Sequence, residues 1–152
     1  MKIDNQIDME CIVDPGSQII AMSEAVCHDL VLIYDPTIQL NMQSGNSEID
    51  RSLGLVRNVP FQIGTITLYL QMHMICDPIF DILLGRPFNM LTESVVRNFR
   101  NEDQTITIKD PNNGTIITIP TMPRSLARHR LHHHSSHQNN GLGINFQVLL
   151  RN

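Results

Sequence analysis

From Ile66 to Met74 every second residue is apolar: Ile66, Leu68, Leu70, Met72 and Met74 alternate with Thr67, Tyr69, Gln71 and His73. Successive side chains of an extended strand point to opposite faces, so this spacing puts the apolar five on one side of a half-buried strand. A helix would scatter them around its circumference. His73 falls on the polar side, which predicts a solvent-facing position. The same period of two recurs at Ile7, Met9, Cys11 and Val13, and again at Ile38, Leu40 and Met42. The short runs Ile82-Leu83-Leu84, Thr105 to Ile108 and Ile116 to Ile119 add further strands. A mostly β chain follows.

Turn and cap residues divide these strands. Asp4-Asn5 suggests that Lys2 to Val13 is a short hairpin, and Pro15-Gly16 ends it ahead of a strand over Gln18 to Met22. Ser23 precedes Glu24 and an apolar-periodic stretch, the pattern of an N-cap, so a short helix is predicted from Ser23 to Leu30 with His28 on its surface. Ser44-Gly45-Asn46-Ser47 is a turn between a strand ending at Gln43 and one returning from Glu48 to Leu53. Pro87 suits the first turn of a second short helix, Pro87 to Leu91. Asn113-Gly114 joins the last two strands as a tight hairpin.

The chain of 152 residues is long enough for one domain with its own core. With no Trp and five Phe, that core must be built from Ile, Leu, Val and Met. Cys11, Cys27 and Cys76 are odd in number and lie in apolar contexts, so they are read as reduced core residues of an intracellular protein, cytoplasmic or nuclear. No apolar run reaches membrane-spanning length, and the N-terminus has no signal-peptide pattern. All fifteen acidic residues lie at or before Asp110, whereas Arg124, Arg128, Arg130 and Arg151 follow Met122. The body therefore carries −8 and the tail +4. An acidic body argues against nucleic acid as its partner.

Two motifs carry the chemistry. Cys11-Ile12-Val13-Asp14-Pro15-Gly16-Ser17-Gln18 sends a strand into an acid followed by a turn, and Asp81-Ile82-Leu83-Leu84-Gly85-Arg86-Pro87-Phe88 is an apolar run closed by Gly and a Pro-initiated helix. In this order and separation the pair resembles the retropepsins, the aspartic proteases of retroviruses and long-terminal-repeat retrotransposons of the Ty3/gypsy kind. Those domains commonly read D-S-G-S near the start and I-L-G-x-x-F near the end. The resemblance covers about residues 7 to 110 and implies an acid-protease-like closed β barrel with two short helices, spanning 1–122. It implies that Asp14 is catalytic, that Gly16 and Ser17 belong to the active-site loop, and that Leu84, Gly85 and Arg86 form the segment threaded beside that loop. It also makes the hairpin around Ser44, Gly45 and Asn46 the flap over the substrate. Periodicity alone reads that hairpin equally well as an ordinary surface feature.

Peptide hydrolysis without metal or cofactor needs one group to activate water and another to protonate the carbonyl. Two crowded carboxylates do this because they cannot both ionise. This chain has one Asp-x-Gly candidate, so the resemblance implies a homodimer in which Asp14 of each copy meets on the two-fold axis. An extended peptide or polyprotein segment would be the substrate, with no membrane involved. Two departures from the family pattern bear on activity. Pro15 stands where the family has Ser or Thr and lacks both hydroxyl and amide. Gln18 stands where the viral relatives have an acid that pairs with the residue corresponding to Arg86. The alternative reading is an inactive retropepsin-fold module for peptide binding or dimerisation.

Beyond Pro120 the pattern stops, and 123–152 is read as a disordered His/Asn-rich tail. With the neighbouring arginines, His129, His132, His133, His134 and His137 offer another reading, metal or RNA binding, but structural zinc sites need ordered ligands at defined spacing, so no metal is expected. On this reading, deletion after Met122 leaves fold and dimer intact.

Overall fold

A computed structural model describes residues 5–43, 49–121 and 142–150. Among the described residues the chain is mostly β, with two short helices. In order these are β1 (Asn5–Val13), β2 (Ile20–Ser23), α1 (Glu24–Asp29), β3 (Asn41–Gln43), β4 (Ile49–Arg51), β5 (Gly54–Ile63) and β6 (Ile66–Ile75). Then come β7 (Ile82–Leu84), α2 (Arg86–Thr92), β8 (Val95–Asn98), β9 (Gln104–Lys109), β10 (Ile116–Thr121) and β11 (Leu142–Leu150).

Six strands pair in the order β1-β11-β5-β6-β2-β7, and β7 returns to β1. The circuit is uneven. β5 and β6 form a long antiparallel ribbon, whereas β11 meets β5 through two register pairs, Gln147 with Gln62 and Val148 with Phe61. The arrangement is thus a ring of strand pairing with one narrow join rather than a regular cylinder. β3 and β4 form a separate two-stranded hairpin, and β8, β9 and β10 a three-stranded sheet.

The alternation in β6 does what its period demands: Ile66, Leu68, Leu70, Met72 and Met74 are all buried. In β5 the inward residues Val56 and Val59 are three apart, which breaks the period of two. A register shift between them restores the phase, and Asn58 takes a left-handed backbone with φ 52°. Asn tolerates that conformation better than most residues, and an extra residue in one strand lets both valines face the core. Gln71 on β6 covers the bulge, accepting from the Asn58 amide at 3.1 Å and donating to its side-chain carbonyl at 2.7 Å.

Ser23 caps α1, its hydroxyl accepting from the Val26 amide at 3.1 Å. The helix ends in a Schellman pair, with Leu32 N–H to Cys27 C=O and Val31 N–H to His28 C=O, both at 3.0 Å. Val31 occupies the left-handed position of that motif, at φ 55°. His28 is exposed, as expected. In the three-stranded sheet Ile106 and Ile108 of β9 reach the main core, and Ile117 and Ile119 of β10 pack partly against it. The turn at Asn113-Gly114 forms, with Gly114 at φ 79°.

Three expectations need correction. Residues 5–13 form one continuous strand that takes in Asn5, expected as a turn residue, and pairs with β11 in nine-residue antiparallel register, while Lys2 to Asp4 lie outside the described residues. The region 142–150 is accordingly a strand and not part of a disordered tail, although 122–141 lie outside the described residues. Its alternation of Leu142, Ile144, Phe146, Val148 and Leu150 was a period-two signal hidden behind the polar stretch. Cys11 and Cys27 are buried, but Cys76 is exposed, since it lies just past the end of β6.

Candidate functional site

β7 lies between two strands that a single loop connects. It pairs in parallel with β1, Val13 opposite Leu84, and antiparallel with β2, Ile20 opposite Leu84. The connecting loop, Asp14 to Ile19, therefore has to pass over the end of β7, where Gly85 follows. Three contacts fix the crossing. The Asp14 amide donates to the Leu84 carbonyl at 3.0 Å, the Arg86 amide donates to the Ser17 carbonyl at 2.7 Å, and Gly85 lies against the backbone of residues 17 to 19. A Cβ on Gly85 would overlap the Ile19 carbonyl oxygen and stand 2.8 Å from that of Ser17. Only glycine fits at that position without moving the loop.

Within the loop the sequence supplies its own turn. The Asp14 carbonyl accepts from the Ser17 amide at 3.0 Å, closing a four-residue turn with Pro15 second, where its fixed φ is favoured. The Asp14 carboxylate turns inward on the same loop and accepts from the Gly16 amide at 3.0 Å. Gly16 is close enough that a Cβ there would approach the carboxylate oxygen to 3.3 Å. Asp14 is half-buried, while Pro15 and Gly16 are exposed, so the acid stands at the rim of the ring with one face towards solvent.

The two sequence motifs thus meet: Asp14, Gly16, Ser17, Leu84 and Gly85 form one cluster. The Ser17 hydroxyl accepts from the Ile19 amide at 3.5 Å. Arg86 joins through its backbone, and its side chain and that of Gln18 are both exposed. Phe88, buried in the first turn of α2 with its amide on the Gly85 carbonyl at 2.9 Å, anchors the helix beneath the crossing.

The β3–β4 hairpin forms as expected, with Asn41, Met42 and Gln43 opposite Arg51, Asp50 and Ile49. Its tip residues Ser44, Gly45 and Asn46 lie outside the described residues. The root is built by a residue that strand periodicity passes over. Ser52, fully buried, donates its amide to the Leu40 carbonyl and accepts the Leu40 amide on its hydroxyl, both at 2.9 Å. His73 stands 3.2 Å from the same hydroxyl through Nδ1 and is half-buried, which corrects the solvent-facing expectation. The root of the hairpin covers this part of the polar side of β6, and burial lowers the His73 pKa. Nearby, Asp35 pairs with Leu55 through two backbone hydrogen bonds, and its carboxyl is held below the usual range, first by the Thr37 hydroxyl and amide and then by Arg57.

Among the described residues no group of three or more His, Cys, Asp or Glu side chains could hold a metal ion. The tail histidines 129, 132, 133, 134 and 137 lie outside them. Among the described residues, too, no helix is long and apolar enough to cross a membrane. No protein-family model matches the chain, and no curated protein matches it.

Proposed function

We propose that this chain is a retropepsin-like aspartic endopeptidase of retrotransposon origin, working as a homodimer with one Asp14 from each copy. The observation that supports the reading most is the crossing of the Asp14 loop over Leu84-Gly85. Two motifs some seventy residues apart in sequence are drawn into backbone contact by a strand inserted between β1 and β2. That rigid crossing would present an acid at a fixed place on the rim, which a shared-proton mechanism requires.

In the dimer, one Asp14 is ionised and takes a proton from water as the water attacks the peptide carbonyl. Its mate, kept neutral by the neighbouring charge, gives a proton to the carbonyl oxygen. The Gly16 amide holds the ionised carboxylate in place. Substrate lies extended beneath the β3–β4 hairpin, held by main-chain hydrogen bonds.

Pro15 favours a second reading, in which fold, dimer and peptide binding persist without hydrolysis. It supplies neither hydroxyl nor amide to tie the two loops together across the axis. The test is incubation of the purified full chain with an unstructured peptide at mildly acidic pH. Cleavage by the wild type and none by a folded Asp14→Asn variant supports the enzyme. Binding without cleavage supports the module. Cleavage that survives Asp14→Asn, or neither binding nor cleavage, overturns the proposal.

A further inference from the structure

The β3–β4 hairpin joins the rest of the protein through a small root. Ser52 and Leu40 exchange hydrogen bonds across its base, and the next residue, Leu53, donates its amide to the Met74 carbonyl on β6 at 2.7 Å. His73 of β6 meets the root through the Ser52 hydroxyl. A hydroxyl has one proton to give and two lone pairs to receive. At Ser52 one lone pair takes the Leu40 amide, so the hydroxyl proton needs an acceptor in a place with no access to solvent. Neutral His73, protonated on Nε2, offers Nδ1 as that acceptor, and the Ser52 hydroxyl is then satisfied. Once Nδ1 carries a proton it can only donate. Ser52 then receives twice, and its own O–H is left buried without a partner, a costly state.

We infer that Ser52 and His73 form a proton-sensitive latch at the root of the β3–β4 hairpin, closed while the imidazole is neutral and released when it takes a proton. The inference goes beyond the peptidase reading, since it stands on the root itself whether or not Asp14 hydrolyses anything. If the hairpin is the lid over a peptide, the latch frees that lid in acid, where a carboxylate dyad works.

The charged groups on the elements packed against His73 are few. On the β5 side are Arg57 and Asp35, paired at 3.4 Å beside Leu55, the residue opposite His73. At the hairpin base Arg51 is bonded to Asn41. β2 places Ala21 opposite and leads to Glu24, and β6 itself continues to Cys76 and Asp77. None of these charges contributes to the lowered pKa of His73, whose cause is burial. The sign follows from that lowering. A histidine held below its ordinary value favours the closed form above the ordinary range, and that contribution is lost as pH falls through the lowered pKa.

Hydrogen exchange on the full chain tests this, with each amide rate corrected for its intrinsic pH dependence. Between about pH 7.5 and about pH 4.5, on either side of histidine titration, protection of the Leu40 and Ser52 amides in the wild type should fall about tenfold or more. Leu68 and Leu70 amides, in the β5–β6 ribbon, should hold. His73→Gln keeps a non-titrating acceptor, so its protection should stay level across the range. Ser52→Ala should lose Leu40 protection at every pH. Level protection in the wild type, or an equal fall in His73→Gln, overturns the latch, and both readouts come from folded protein even if Ser52→Ala does not fold.

Discussion

Gly85 and Ile19 touch backbone to backbone. No side chain can stand on residue 85 without displacing the Ile19 carbonyl, and with it the loop that carries Asp14. The contact ties the position of the candidate acid to a residue far away in sequence. A Gly85→Ala substitution should therefore destabilise the fold by about 3 kcal/mol, the upper range for forced overpacking. Urea unfolding measures the loss. A folded Gly85→Ala protein of wild-type midpoint would mean that the crossing is looser than its geometry implies.

At the end of α1 the penalty runs the other way. Val31 holds the left-handed position of a Schellman cap although it is β-branched and 85% exposed, so no packing compensates its strain. Val31→Gly should raise stability by about 1 kcal/mol, the order of the left-handed cost for an L residue. Val31→Ala keeps a Cβ and should gain less. The comparison of the two midpoints in urea decides whether strain is the cause.

Pro15 closes the Asp14 turn and has neither a hydroxyl nor an amide to donate. Pro15→Ser adds back an amide and a hydroxyl, so peptide cleavage should rise about tenfold to a hundredfold in kcat/KM if a loosened dyad is what limits it. The same change frees the unfolded chain and should lower stability by about 0.5 kcal/mol. Lower stability with no gain in rate would leave Pro15 a turn former without bearing on catalysis.

Deleting residues 122–152 removes β11. β1 then keeps only its three register pairs with β7 and exposes an open edge along the rest of its length. The truncated chain should unfold at lower urea or self-associate, as light scattering would report. A truncated chain with an unchanged midpoint would restore the view of that region as a dispensable tail.

Most strands were legible in the sequence because burial on one face imposes a period of two, and β6 shows this most clearly. Helix α1 was legible because Ser23 and the residues after it satisfy a local capping rule. The approach of Asp14 to Leu84-Gly85 was expected only through a resemblance, since no spacing along the chain states which strand will lie between β1 and β2. β11 was missed because its alternation follows a long polar stretch that reads as tail. His73 was misplaced for a different reason: period two assigns a face but does not say what covers that face.

The sequence by itself determined local matters: which segments extend, where Ser23 starts a helix, where Pro15-Gly16 and Asn113-Gly114 turn the chain. These depend on neighbours within a few residues. Tertiary structure alone decided that β7 slides between β1 and β2, that Gly85 meets Ile19, and that Ser52 brings the hairpin onto His73. Those outcomes depend on contacts between residues tens of positions apart, for which the only local trace is a glycine with no turn to make or a serine in an apolar place.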